Sequence, residues 1–114
     1  MPTESLSKIC NHSLFDSKAE NITLLDVRDV SSFADEIIIA TANSNRHATS
    51  VSNKLVESLK EKKINIIGVE GESSSGWILV DCGDVVINIM KQEQREFYDL
   101  ESLWGEMMPS KESI

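Results

Sequence analysis

The chain is poor in the residues from which metal and redox sites are built, with two cysteines and two histidines among 114 residues. Cys10 and Cys82 are far apart, no Cys-x-x-Cys pair is present, and only His12 is near Cys10. A structural zinc site needs four ligands at short spacings, and disulfides persist in oxidising compartments. The sequence therefore predicts two reduced thiols, no metal site and no cofactor.

Long apolar runs are also missing. The longest, residues 85–90 and most of residues 36–42, fall well short of the roughly 20 residues of a membrane-spanning helix. The first residues include Glu4 and lack the basic start and apolar core of a secretory signal. We therefore expect a cytoplasmic protein without a membrane partner. Its length predicts one domain, residues 1–106, followed by a flexible tail at residues 107–114.

Glycine is sparse, with five residues in the chain. Gly68, Gly71 and Gly76 lack the spacing of a dinucleotide-binding or phosphate-binding loop. The Gly-x-Ser-x-Gly segment of a serine nucleophile is absent as well. We expect these glycines to serve turns.

Basic residues are nearly missing from the C-terminal third. Residues 1–69 hold nine acidic and eight basic residues, whereas residues 70–106 hold nine acidic residues against Lys91 and Arg95. An acidic surface repels phosphate backbones and attracts basic proteins. The distribution argues against direct, base-specific nucleic-acid binding and favours a basic protein partner. An acidic surface that only confers solubility is the alternative.

What the chain does contain is an alternation of helix and strand patterns. Apolar residues at helical spacing after Thr3, a suitable N-cap, predict a helix over residues 4–18. Short β-branched runs predict strands at residues 22–27 and 36–42, each buried on both faces. Ser44 is a suitable N-cap for a second, amphipathic helix. Its apolar face consists of Ala48, Val51, Leu55 and Leu59.

The alternation continues after this helix. A strand at residues 64–69 follows it, which predicts a right-handed βαβ crossover whose two strands run parallel. Strands at residues 77–82 and 85–90 flank a turn at Gly83 and Asp84. These segments form the second half of the predicted sheet.

A last helix is predicted over residues 93–104, with Gly105 as its stop. Phe97, Leu100 and Trp104 share one face of this helix. We expect Phe97 and Trp104 to pack in the core. The complete pattern predicts an α/β fold with a mixed five-stranded sheet flanked by helices.

Asp81 and Asp84 are the acids that an enzyme hypothesis would use, because metal-dependent phosphoryl transfer needs converging carboxylates. A turn separates the two, so they are not expected to share a face as an i, i+2 pair on one strand would. The polar start of the second helix, residues 43–47, suits an anion. However, Ser44 is explained as a cap and His47 as a surface side chain. A residual metal-dependent nucleotidyl or phosphoryl transferase therefore stays the alternative function, with no catalytic residue assigned.

Aromatic side chains in the acidic third favour a binding function. Trp77 follows a Ser-Gly loop at a strand edge, and Tyr98 lies off the Phe97 face. Tryptophan and tyrosine are common anchors of protein interfaces, although packing within the fold is the alternative for both. Arg95 is expected to pair with Asp99 one helical turn later. The acids around these aromatic residues are Glu70, Glu72, Asp81, Asp84, Asp99 and Glu101.

Five segments, taken in order, resemble the ribosomal silencing factor family, also called iojap-like or RsfS. They are Asp26-Val27, Ser44-Asn45-Arg46-His47, Val69-Glu70-Gly71, Trp77-Ile78-Leu79-Val80-Asp81-x-Gly83-Asp84-Val85-Val86 and Arg95-x-Phe97-Tyr98-x-Leu100-Glu101-x-Leu103-Trp104. Each segment is short, but together they cover residues 4–105 at compatible spacings.

The resemblance implies a non-enzymatic translational repressor whose fold is nucleotidyltransferase-like but lacks the catalytic carboxylates. Family members bind the large ribosomal subunit through its protein number fourteen. They sterically block joining with the small subunit, chiefly under nutrient limitation. Homodimers occur in the family. Members commonly carry a histidine where this chain has Asn88, a departure that bears on pH sensing and not on binding.

Carried over by motif, the resemblance also implies which residues contact the partner. These are Trp77, Asp81, Asp84, Arg95, Tyr98, Leu100 and Trp104, with Glu70 and Glu101 as acids at the rim. Trp77, Tyr98 and Leu100 are expected to exclude water at the centre of the interface. The aspartates are expected to meet lysines or arginines of the partner.

Overall fold

The structure, a computed structural model, describes residues 5–29, 32, 34–71 and 73–107, with side-chain surroundings for all of these except 73 and 104–107. In chain order the elements are α1 (Leu6–Asp16), β1 (Glu20–Asp26), β2 (Glu36–Ala42), α2 (Asn45–Glu61), β3 (Gly68–Glu70), a 3-10 turn (Ser73–Ser75), β4 (Trp77–Asp81), β5 (Val85–Lys91), α3 (Gln92–Tyr98) and α4 (Leu100–Met107). None of the helices within those ranges is long and apolar enough to cross a membrane.

The strands form one five-stranded sheet in the order β1-β2-β5-β4-β3. β2 pairs with β5 in parallel, and the other three pairings are antiparallel. The predicted α/β fold with a mixed five-stranded sheet is confirmed. β3 runs in the same direction as β2, as predicted for the crossover, but β5 and β4 lie between them. The predicted strand at residues 64–69 is mostly loop, and β3 itself has only three residues.

Both long helices begin at a serine whose hydroxyl accepts a backbone N–H. Ser44 Oγ accepts from His47 N at 3.0 Å, so the predicted cap of α2 is confirmed. In α1 the cap is Ser5, whose Oγ accepts from Lys8 N at 3.3 Å. The prediction that Thr3 caps this helix is wrong, because the helix starts two residues later; Thr3 itself lies outside the described residues.

One face of the sheet, which we call the helix face, packs against α1 and α2. Strand alternation places Ile38, Ile78 and Ile87 there, where they contact Leu14 and Leu55 in a buried cluster. The apolar stripe predicted for α2 is fully buried in this cluster: Ala48, Val51, Leu55 and Leu59. The helix face therefore carries the larger apolar core.

The opposite face, which we call the aromatic face, has a smaller buried cluster of Val27, Ile37, Ile39 and Met90. Partly buried Leu25, Trp77 and Leu100 pack against it. β2 is thus buried on both faces, as predicted. The same prediction for β1 is wrong, because none of the residues of this edge strand is buried.

The last predicted helix is two helices, because the chain turns at Asp99. This residue has φ 48° and ψ 54°, a left-handed conformation that ends α3. Phe97 consequently stays in solvent, 80% exposed, and the prediction that it packs in the core is wrong. α4 continues past Gly105 to Met107, so the predicted stop is also wrong. Residues 108–114 of the predicted tail lie outside the described residues.

Candidate partner-binding surface

Trp77 occupies the first position of β4 on the aromatic face and is held by a buried amide. Its indole N–H donates to Asn88 Oδ1 at 2.9 Å, and Asn88 Nδ2 donates to the carbonyl of Ile38 at 3.5 Å. Asn88 is 3% exposed. Buried polar groups need partners, so this bond fixes the indole in one orientation. The sequence offered no signal for it, because the two residues meet only through the strand register.

Tyr98 lies against Trp77 at the end of α3. The two ring centroids are 4.7 Å apart with the planes tilted by 50°, within the range of favourable aromatic pairs. Phe97 adds an edge contact to Tyr98, with centroids 5.0 Å apart. Tyr98 is half exposed, whereas Trp77 is partly buried. Trp77, Phe97 and Tyr98 thus form a continuous group that we call the aromatic surface.

A shallow concavity of about 290 Å³ opens beside these rings. Its lining residues are Glu70, Gly71, Ser75, Trp77, Leu79 and Tyr98. Gly71 has φ +94°, and a Cβ at this position would collide with the carbonyl oxygen of Trp77. The loop after β3 can therefore approach β4 closely only with glycine at position 71. The concavity brings together three of the predicted contacts, namely Glu70, Trp77 and Tyr98.

Asp81 and Asp84 lie at the other end of β4 from the aromatic surface. Trp77 and Asp81 are four residues apart on one strand, a span of about 13 Å. Asp81 Oδ1 accepts from Gly83 N at 2.8 Å, and the carbonyl of Asp84 accepts from the backbone of Asp35 and Glu36. The two aspartates therefore shape the predicted turn at Gly83 and Asp84, and only Asp84 is exposed.

Arg95, predicted as a partner contact, is 7% exposed and bonded within the fold. Its Nε and Nη2 donate to the two carboxylate oxygens of Glu101 at 3.1 and 2.8 Å. Its Nη1 donates to the carbonyl of Asn21 at 2.6 Å and to Thr41 Oγ1 at 2.7 Å. Nη2 also donates to Thr23 Oγ1 at 2.8 Å. All five guanidinium N–H groups thus have acceptors in β1, β2 or α4.

The predicted ion pair between Arg95 and Asp99 is wrong, because the carboxylate bound by Arg95 is that of Glu101. Leu100, another predicted contact, is partly buried against the apolar cluster of the aromatic face. Glu101 is about one-third exposed, so it is still reachable from solvent. The side chain of Trp104 lies outside the described residues.

The polar start of α2 is occupied by contacts within the fold. His47 Nδ1 accepts from Asn43 N at 3.0 Å, while its Nε2 lies 2.8 Å from the carbonyl of Ser17. His47 therefore joins α2 to the end of α1, and the predicted surface histidine is partly buried and bonded within the fold. Among the residues that the structure describes, no group of three or more His, Cys, Asp or Glu side chains is arranged to bind a metal ion.

Both cysteines are free thiols. Burial raises the pKa of the Cys10 thiol to about 12, with smaller contributions from Cys82 and Glu36. Burial, followed by the nearby Asp81, raises the pKa of Cys82 to about 11. Because the thiolate is the nucleophilic form, neither thiol is activated at neutral pH.

The protein is thus an α/β protein with an aliphatic core on one face of its sheet and a partly exposed aromatic surface on the other. Its amino-acid sequence matches, over residues 2–114, the family described as "Ribosomal silencing factor during starvation". It is 39% identical to the ribosomal silencing factor RsfS of Chromobacterium violaceum over 96% of this chain and 90% of that protein. With RsfS of Bacillus subtilis the identity is 33%, over 93% of this chain and 90% of the relative.

A crystal structure of a C. violaceum protein has the same fold, with a TM-score of 0.87 and 39% identity over 96% of this chain and 92% of that one. The chain belongs to the RsfS family of ribosomal silencing factors. Its role is accordingly that of a ribosome-associated regulator in translational silencing.

Proposed function

We propose that the protein represses translation in the cytoplasm, chiefly under nutrient limitation, by binding protein number fourteen of the large ribosomal subunit. Bound there, it occupies the face that would meet the small subunit and blocks joining sterically. Family membership supports the ribosomal target. The observation that carries the proposal is the concavity between Trp77, Tyr98 and Glu70, which offers exposed rings beside an acid.

Trp77 and Tyr98 supply the centre of the proposed interface. Asn88 fixes the Trp77 indole before any partner arrives, so little side-chain freedom is lost on binding. Phe97 joins this centre because a ring that is 80% exposed gains much from burial in an interface. Leu79 lines the floor of the concavity between them.

Acids at both ends of β4 complement a basic partner. Glu70 borders the aromatic surface, and Asp84 is exposed at the distal turn. Asp81 is on the same side of β4 as Trp77, because the two are four residues apart on one strand. A separation of about 13 Å lies well within a standard interface of roughly 800 Å² per partner. One partner can therefore contact both groups.

The remaining predicted contacts receive different roles in this proposal. Arg95 and Leu100 support the surface from inside the fold, whereas Glu101 supports it and also reaches solvent. Trp104 stays a predicted contact. A homodimer, which the family resemblance implies, stays a prediction as well.

The test is binding of full-length variants to purified large subunits, measured by co-sedimentation. We expect Tyr98→Ala to weaken binding about 30-fold, because truncating a central aromatic anchor typically costs 2 kcal/mol or more. The same titration measured with isolated protein fourteen separates this partner from the rest of the subunit. Addition of wild-type protein to mixed subunits should also reduce the particles that contain both.

Phe15→Ala provides the matched control. Phe15 is 73% exposed on α1, the helix that covers the opposite face of the sheet, and its truncation removes an exposed ring as Tyr98→Ala does. We expect binding within about twofold of wild type for this variant. Unchanged binding by a folded Tyr98→Ala variant, or equal losses in both variants, would remove the aromatic surface from the interface.

A further inference from the structure

The corner between α3 and α4 is held together by an ion pair that spans it. Arg95 lies three residues before Tyr98 and Glu101 three residues after it, and their paired contact closes the turn at Asp99. The amide of Asp99 donates to the carbonyl of Arg95, and the amides of Ser102 and Leu103 donate to the carbonyl of Asp99. Tyr98 therefore sits at the apex of a closed loop.

The same guanidinium attaches this corner to the sheet. Its contacts with the carbonyl of Asn21 and the hydroxyls of Thr23 and Thr41 reach two strands that are distant in sequence. A planar fork of five N–H donors can satisfy this geometry, whereas a lysine ammonium offers three donors from a single point. The guanidinium thus determines where α3 ends relative to β1 and β2.

We propose that Arg95 and Glu101 are positioning residues that present Tyr98 against Trp77, and that they affect partner binding through Tyr98 rather than by touching the partner. This inference rests on the proposed function for its binding consequence. It differs from the role that the family resemblance implied for Arg95. A side chain with 7% exposure and five internal acceptors has no N–H group left for a partner.

The ring packing in the free protein gives the first readout. The chain has a single tyrosine, so its ring resonances in NMR spectra belong to Tyr98 without ambiguity. At a centroid distance of 4.7 Å, the Trp77 indole shifts these resonances by its ring current. We expect Glu101→Gln and Arg95→Lys to reduce this shift. Glu101 is the gentler site, since its carboxylate is about one-third exposed and the variant keeps an acceptor.

Glu96→Gln is the matched control for the change in charge. Glu96 is an exposed acid on α3 that accepts from Gln92 Nε2 at 2.7 Å and is not among the acceptors of the Arg95 guanidinium. This variant removes one negative charge from α3, the helix next to that of Glu101, and should leave the Tyr98 resonances in place. Equal changes of the Tyr98 resonances in Glu96→Gln and Glu101→Gln would show that the loss of a negative charge alone moves them, and would overturn the inference.

A double-mutant cycle on purified large subunits gives the second readout. With Tyr98 present, we expect Glu101→Gln and Arg95→Lys each to weaken binding about tenfold, as for loss of a charge-assisted contact. In a Tyr98→Ala background the same changes should alter binding by less than about twofold, because the route through Tyr98 is gone. A merely structural role, which lowers the folded fraction, would lower binding in both backgrounds.

Two further results would overturn the positioning role. One is an unchanged Tyr98 shift in both folded variants. The other is a full loss of binding that persists in the Tyr98→Ala background, which would mean that the pair touches the partner. If wild-type protein fails to bind large subunits, the proposed function fails, and the Tyr98 resonances still decide whether Arg95 and Glu101 position the ring.

Discussion

The two faces of the sheet are closed in different ways. On the helix face, α1 and α2 cover an apolar cluster without aromatic rings, and stability there comes from burial and close packing. On the aromatic face, the cover is made by short helices, a tilted ring pair and a guanidinium network. The helix face is thus typical of a core that is stabilised by complementary packing alone. The aromatic face has a buried cluster as well, but it also presents exposed side chains in fixed orientations. Under the proposed function, folding and binding thus depend on opposite sides of one sheet.

Leu55→Ala should have the largest effect on the helix face. Leu55 is fully buried on α2, and removing three carbons from a close-packed site costs about 3 kcal/mol through lost burial and a residual cavity. Urea denaturation measures this loss. Large-subunit binding per folded molecule should not change. A loss of affinity in the folded variant would contradict the separation of the two faces.

Asn88→Ala should have the next largest effect, now on the aromatic face. The change leaves the Trp77 indole N–H without its acceptor and should cost about 2 kcal/mol of stability. Unlike Leu55→Ala, it should also weaken binding of the folded protein, because Trp77 loses its fixed orientation. Equal affinity in wild type and variant would show that the hydrogen bond serves folding only. Thr49→Ala, on the exposed side of α2, is a control that should change neither quantity.

Alkaline pH should lower the free energy of unfolding through Cys10, which is buried on the helix face. Its folded pKa of about 12 exceeds the ordinary value, so the unfolded chain releases this proton at lower pH than the folded chain does. Stability therefore falls as the pH rises from about 8.5 towards 12, by up to about 1.4 kcal/mol per pH unit. Denaturation of wild type and Cys10→Ala at pH 8 and 9.5, under reducing conditions, measures the difference. Parallel losses in the two proteins would remove Cys10 as the cause.

Asp84→Asn should have the smallest effect, which is confined to binding. Asp84 is exposed, and its structural contacts use the backbone carbonyl, so stability should change by less than about 0.5 kcal/mol. Loss of a rim charge slows association, by about two- to threefold at low salt, and the difference should vanish at high salt. Stopped-flow association at two salt concentrations measures it. Salt-independent rates would exclude Asp84 from steering.

Periodicity predicted the helix face well, because its signals are local. The stripe through Ala48 and Leu55 fixes the buried side of α2, and Ser44 fixes its start. The composition of the acidic third also indicated Trp77 and Tyr98 as candidate partner contacts. For α2 the chemistry of a few neighbouring residues was sufficient to predict the outcome, whereas the binding role of Trp77 and Tyr98 stays a prediction.

The aromatic face was predicted less well, because its contacts join distant parts of the chain. Arg95 bonds to the carbonyl of Asn21, 74 positions earlier, and no spacing rule connects the two. The left-handed turn at Asp99 is equally hidden, because aspartate also fits a regular helix. Without that turn, the pattern predicts one continuous helix with Phe97 on its buried face, whereas the first helix ends at Tyr98 and Phe97 is exposed.

The contact between Trp77 and Tyr98 has a practical consequence for anyone following the protein in solution. The indole N–H of Trp77 is held by the buried amide of Asn88, and its ring borders the half-exposed Tyr98. The fluorescence of such an indole depends on the water around it. A partner that covers the aromatic surface displaces that water. With Trp104 replaced by phenylalanine, the remaining tryptophan becomes an unlabelled fluorescent reporter of occupancy, read out in real time.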